Sequence, residues 1–114
     1  MGRRDELVTR RCKPCEGGVP PLAADAVQEL MKALDPAWQL SADGKRISRT
    51  FEFASYLRTI AFVNALAWLA EAEGHHPDLQ VHYGKVVCEW WTHAIDGLSE
   101  NDFICAAKTD RLLA

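Results

Sequence analysis

Residues 54–93 read ASYLRTIAFVNALAWLAEAEGHHPDLQVHYGKVVCEWWTH, and the change of hydrophobic period inside this stretch decides the fold. Over 54–73 there is no Gly or Pro, and apolar residues recur at helical spacing. Leu57, Ile60, Ala61 and Trp68 fall on one side, with Phe62, Val63, Leu66 and Leu69 towards another. A helix apolar over so wide an arc buries more than one face. One face is expected on a sheet and the other against a partner subunit. Gly74 ends the helix, and His75-His76-Pro77 follows as a loop. The period then drops to two. Residues 81–83 and 86–93 read as a hairpin about Gly84-Lys85, with the glycine first in a two-residue turn. Val86, Cys88, Trp90 and Thr92 share one face of the last strand; Val87, Glu89, Trp91 and His93 share the other.

Upstream, 38–40 and 46–53 read as another strand pair around Asp43-Gly44, a dipeptide that supplies the positive φ of a tight turn. Ile47, Arg49, Phe51 and Phe53 take one side of the longer strand, and Ser48, Thr50 and Glu52 the other. Before them, Leu22, Ala26, Val27, Leu30, Met31 and Leu34 recur at three and four, a helix that Asp35-Pro36 ends. Beyond the quoted stretch, Ser99 opens a final helix through Ala106, Ala107, Leu112 and Leu113. The order is α-β-β-α-β-β-α. Two antiparallel hairpins in one sheet with helices against it make an α+β domain. Residues 1–21, charged and then rich in Gly and Pro, read as a flexible arm, leaving 22–114 as the single domain.

The composition is that of a globular domain: 114 residues, 48% apolar and 25% charged, which excludes disorder as the main state. A net charge of −3 argues against nucleic-acid binding through bulk electrostatics. No apolar run reaches the length of a membrane span. Residues 1–6 resemble neither a signal nor a transit peptide, so a cytoplasmic location is expected. On the same ground the cysteines at 12, 15, 88 and 105 are expected to be thiols rather than a disulfide framework.

All four histidines, at 75, 76, 82 and 93, fall within one short stretch. Imidazole is the side chain whose ordinary pKa, about 6.5, suits proton transfer near neutrality. Zinc is the rival use, but a site needs three or four converging ligands, and adjacent His75 and His76 in extended chain point apart. Cys12-Lys13-Pro14-Cys15 has a spacing used for zinc and for thiol chemistry, yet it lacks the second pair that zinc requires and sits in a polar arm. Inert thiols or an occasional disulfide fit it equally. Cys88 and Cys105 read as small core residues. Ser99-Glu100-Asn101-Asp102 has the form of a capping box, and that role alone accounts for Asp102; the rival use is a carboxylate near His93 that orients or polarises an imidazole. The cations Lys45, Arg46, Arg49 and Arg58 read as a solvated face. Trp91, on the face of His93, offers an aromatic wall for a flat ligand.

Glu71-Ala72-Glu73-Gly74-His75-His76-Pro77-Asp78, then Tyr83, Thr92-His93, Gly97-Leu98-Ser99 and Asp102 together resemble the signature of the pterin-4a-carbinolamine dehydratases. The likeness extends upstream through Trp38-Gln39-Leu40, Ile47-Ser48-Arg49 and Phe51-Glu52-Phe53. It implies a four-stranded antiparallel sheet with three helices on one face, and assembly as a homodimer or homotetramer. It also implies an activity: loss of water from 4a-hydroxytetrahydropterin to give quinonoid dihydropterin, which recycles the pterin of aromatic amino-acid hydroxylases. No metal and no organic cofactor would be needed. By this resemblance His75 and His93 are the proton-transfer pair, His76 orients the substrate, and Glu71 and Asp102 support the imidazoles. Pro77, Thr92, His93, Ala94 and Ile95 would line the pterin site. Trp91 departs from the smaller residues usual before Thr92, and it would narrow the pocket or stack on the pterin. An alternative role implied by animal members is that of a dimerisation cofactor for a transcription factor, acting through the helix surface.

Overall fold

The computed structural model describes residues 3–14 and 19–113. Cys15, Gly17 and Gly18 of the sequence reading lie outside that range. Helix α1 spans Arg3–Thr9, α2 Ala24–Ala33, α3 Tyr56–Glu73 and α4 Glu100–Arg111; strands β1 to β4 span Gln39–Leu40, Ile47–Glu52, Asp78–Val81 and Lys85–Trp90. The strands form one antiparallel sheet in the order β1-β2-β4-β3. The register sets Ile47 opposite Trp90 and Phe51 opposite Val86. Ile47, Phe51, Val86, Cys88 and Trp90 are all buried on the helix-bearing face, the period-two pattern of a sheet with one face covered. This is the expected α+β sheet-and-helix fold.

Local chemistry sets the element ends. The Ser55 hydroxyl accepts the Arg58 N–H at 3.2 Å, a side-chain N-cap, so α3 starts at Tyr56, two residues later than the period implied. Gly74 closes it in the left-handed region at φ 66°, where glycine carries no Cβ penalty. Within α3 only the stripe Thr59, Phe62, Leu66 and Ala70 is buried.

The hairpins differ in detail from the sequence reading. Gly44 has the expected positive φ, 74°, but the Ser41 N–H to Arg46 carbonyl bond makes the connection a longer loop than a two-residue turn. In the second hairpin the His82 N–H donates to the Lys85 carbonyl, placing Tyr83-Gly84 at the turn, one residue earlier than expected. Gly84 serves close approach there: its carbonyl accepts the Phe53 N–H at 2.8 Å, and an added Cβ would lie 3.2 Å from the Phe53 carbonyl oxygen. β4 stops at Trp90, short of His93. The Thr92 N–H turns to the Gly97 carbonyl, and His93–Ile95 forms a 3₁₀ turn ended by Asp96 at φ 48°.

α4 is the centre of the molecule. Asn101 through Ala107, together with Thr109, are buried, so nearly its whole circumference is covered. α1 packs against it, with Leu7 only 2% exposed. The segment read as an arm therefore carries a helix that enters the core. Seven residues are too short to be helical by propensity alone; the burial of Leu7 against α4 supplies what local sequence does not show.

Candidate active site

His75 and His76 follow the left-handed turn at Gly74, and Thr92 and His93 follow the end of β4. Because β4 pairs with β3 directly after the His-His-Pro loop, the two segments meet at one end of the sheet. Together they wall a cavity of about 370 Å³, lined by His75, His76, Pro77, Trp91, Thr92, His93 and Ala94. Gly74, Asp78, Asn101 and Lys13 complete the wall. Ile95 lies in the 3₁₀ turn outside this lining, and His82 lies in the hairpin away from it. Glu71 and Asp102 stand behind the imidazoles.

Asp102 is fully buried and uses both carboxylate oxygens. Oδ1 lies 2.6 Å from His75 Nε2. Oδ2 accepts from the Thr92 hydroxyl at 2.8 Å and from the Ser99 backbone N–H at 3.0 Å. The same side chain thus caps α4 and engages an imidazole. With Nε2 committed, the other ring nitrogen of His75 is the one left for exchange, and the ring is held flat against Trp90, centroids 5.6 Å apart and planes 10° apart. A buried carboxylate paired to an imidazole fixes its orientation and stabilises the protonated form that proton transfer creates. His76 Nε2 lies 3.0 Å from Glu71 Oε1 in an exposed pair.

His93 is held differently. Its ring lies 3.8 Å from the Trp91 ring. The Trp91 indole N–H donates to Asp78 Oδ2 at 2.7 Å, and that oxygen is 3.6 Å from His93 Nε2. The Arg46 guanidinium sits over Trp91, 4.3 Å from the ring centroid. Trp91 is therefore engaged by neighbours of its own, and it orients His93.

Asp78, which the sequence reading quoted only within the signature, and Asn101 and Lys13 are cavity residues to which sequence reasoning gave no role. Asp78 carried a signal, a carboxylate immediately after His-His-Pro. Asn101 and Lys13 carried none, since they meet across 88 residues: Asn101 Oδ1 accepts the Lys13 N–H at 3.0 Å, and its amide donates to the Lys13 carbonyl at 2.6 Å. Beside them Glu73 Oε1 accepts the Cys12 N–H at 2.8 Å, and Oε2 pairs with Lys108 at 2.8 Å. Burial alone would raise the Glu73 carboxyl, but the Lys108 ammonium and the Cys12 amide outweigh it and hold it below its ordinary range. Among the described residues no group of three His, Cys, Asp or Glu is placed to hold a metal ion.

Comparison with known proteins bears on this geometry. The family model described as pterin 4 alpha carbinolamine dehydratase matches residues 20–112. A protein of Nitrosomonas eutropha, provisionally named pterin-4-alpha-carbinolamine dehydratase, is 57% identical over 95% of this chain and 94% of its own. One from Nitrosomonas europaea, with the same provisional name, is 59% identical over 94% and 93%. Among solved structures, a transcriptional coactivator/pterin dehydratase from Brucella melitensis superposes with a TM-score of 0.77 at 29% identity, covering 82% of this chain and 99% of that one. A pterin dehydratase-like protein described as a RuBisCO assembly factor in the alpha-carboxysome superposes with a TM-score of 0.58 at 28% identity, covering 67% and 88%. With its model match spanning nearly the whole domain and its sheet and helices superposing on a solved member, the chain belongs to the pterin 4 alpha carbinolamine dehydratase family.

Proposed function

We propose that this protein dehydrates a 4a-hydroxytetrahydropterin to the quinonoid dihydropterin, using its histidines as acid and base. One observation carries the reading: three imidazoles line one cavity, one of them 2.6 Å from a buried carboxylate. In the reaction the C4a–O bond breaks and the hydroxyl leaves as water with a proton from the acid. The base takes the proton from N5, and the electron pair of the N5–H bond becomes the C4a=N5 double bond. His75 and His93 share these two transfers, and positioned groups of this kind contribute about 10²–10⁴-fold. His76, with Pro77, Thr92 and Ala94, seats the ring system. The activity operates in the cytoplasm, returning pterin to an aromatic amino-acid hydroxylase, in a homodimer or homotetramer.

The test follows 4a-hydroxytetrahydropterin, generated in situ by an aromatic amino-acid hydroxylase, by ultraviolet absorbance. The protein is expected to speed its decay, and His75→Ala, His93→Ala and Asp102→Asn to slow it by about 10²-fold or more while circular dichroism stays native. Decay at the spontaneous rate with wild-type protein would overturn the reading. A second reading rests on a separate observation. Leu57 and Trp68 are each 79% exposed on the outer face of α3, an apolar stripe suited to another protein, and the two solved relatives are described as a coactivator and an assembly factor. Protein that binds a partner through this face while lacking dehydratase activity would favour it.

A further inference from the structure

We propose that Cys12 and Cys105 form a redox-modification site: a dithiol that a small-molecule disulfide of the glutathione type converts into an intramolecular disulfide, tying the N-terminal segment to α4. The Sγ atoms lie 3.3 Å apart, so a bond of about 2.0 Å needs little more than 1 Å of closure. This proximity does not rest on one side-chain rotamer. The backbone is pinned on both sides of the thiol, by the Cys12 N–H to Glu73 Oε1 and by the two bonds between Lys13 and Asn101. Glu73 and Asn101, the anchors on α3 and α4, are themselves largely buried.

The two thiols have different surroundings, and that sets the order of events. Cys12 is partly exposed, whereas Cys105 is fully buried on α4. Cys12 therefore meets the reagent: its thiolate attacks one sulfur of the small disulfide, the S–S bond breaks, and one thiolate leaves. Cys105, after losing its proton, then attacks Cys12 Sγ and expels the second. Two protein thiols lose two electrons and two protons, and the reagent is reduced to two thiols. The Cys105 thiol is pushed up by its hydrogen bond with Cys12 and by burial. Lys13 and Asn101 both line the histidine cavity, so the bond clamps one of its walls. The inference stands whether or not the pterin reaction is the one performed there.

The experiment equilibrates the full chain with oxidised glutathione, blocks free thiols under denaturing conditions and maps linked peptides by fragmentation, with Cys12→Ser, Cys15→Ser and Cys105→Ala run alongside. The Cys12→Ser change is at a partly exposed position and guards against a Cys105 variant that does not fold. A Cys12–Cys105 link is expected in wild type and in Cys15→Ser, absent from the other two, with Cys88 still free. Oxidised wild type is expected to melt at least about 5 °C above its reduced form, because the bond closes a loop of about 93 residues. A Cys12–Cys15 bond, a lasting glutathione adduct with Cys105 free, or a linked protein that melts no higher would each overturn the proposal.

Discussion

At the scale of single residues, Asp102 shows how one buried carboxylate serves two ends. Its position three residues after Ser99 fits a helix cap, and the fold brings His75 to its other oxygen at 2.6 Å. Asp78 is the less legible counterpart. It pairs with Glu89 across β3 and β4, which puts Trp91 two residues further along on the same face and within reach of the carboxylate. Asp78→Ala frees the Trp91 indole and removes the charge beside His93. On the proposed pterin, kcat/KM is expected to fall by about ten-fold, and Tm to move by no more than about 2 °C because the site is exposed. Steady-state kinetics and a melting curve check both. Unchanged kinetics would show that Trp91 and His93 keep their arrangement without Asp78.

At the scale of elements, α3 and α4 invert what their sequences imply. α3 is apolar over a wide arc, yet only Thr59, Phe62, Leu66 and Ala70 are buried within the monomer. α4 is poor in large apolar residues, yet it is buried nearly all round. The explanation is layering: α4 lies between the sheet and α1, where Ala106 and Ala107 permit close approach, while α3 lies outside with one face open. If that open face meets another copy, Trp68→Glu places a charge in the contact. The expected result is a smaller mass by light scattering with helix content retained, and an unchanged mass would exclude this stripe as the interface.

At the scale of the whole molecule, the N-terminal segment is held by long-range ties that converge on Glu73 and α4. A carboxyl held below its ordinary value of 4.5 contributes stability that is present above that value and lost as pH falls through the folded one. Glu73→Gln is therefore expected to cost about 3 kcal/mol at pH 7, since it leaves the largely buried Lys108 unpaired. The gap from wild type should shrink towards zero on acidification. Urea melts at pH 7 and pH 3 measure it, and a gap that is constant with pH would mean that the charge is not what matters. The domain boundary proposed at residue 22 has its own test. Removing residues 1–13 exposes the pocket that Leu7 fills and is expected to cost about 3 kcal/mol. A loss below about 0.5 kcal/mol would instead support a dispensable arm.

What could be read along the chain is what local chemistry controls: the two hairpins and three main helices, a helix beginning near residue 54, Gly74 as its end and Asp102 as a cap. Period and capping act over a few residues, so they can be read along the chain. Packing, not local sequence, puts Leu7 in the core, brings His93 to the cavity of His75 and His76, sets Asp78 and Trp91 beside His93, lets Asn101 grip Lys13, and brings Cys12 to Cys105. Each of these is a contact between segments that only packing brings together. Local sequence neither requires such contacts nor forbids them; the burial of α4 at the centre of the fold creates several of them at once.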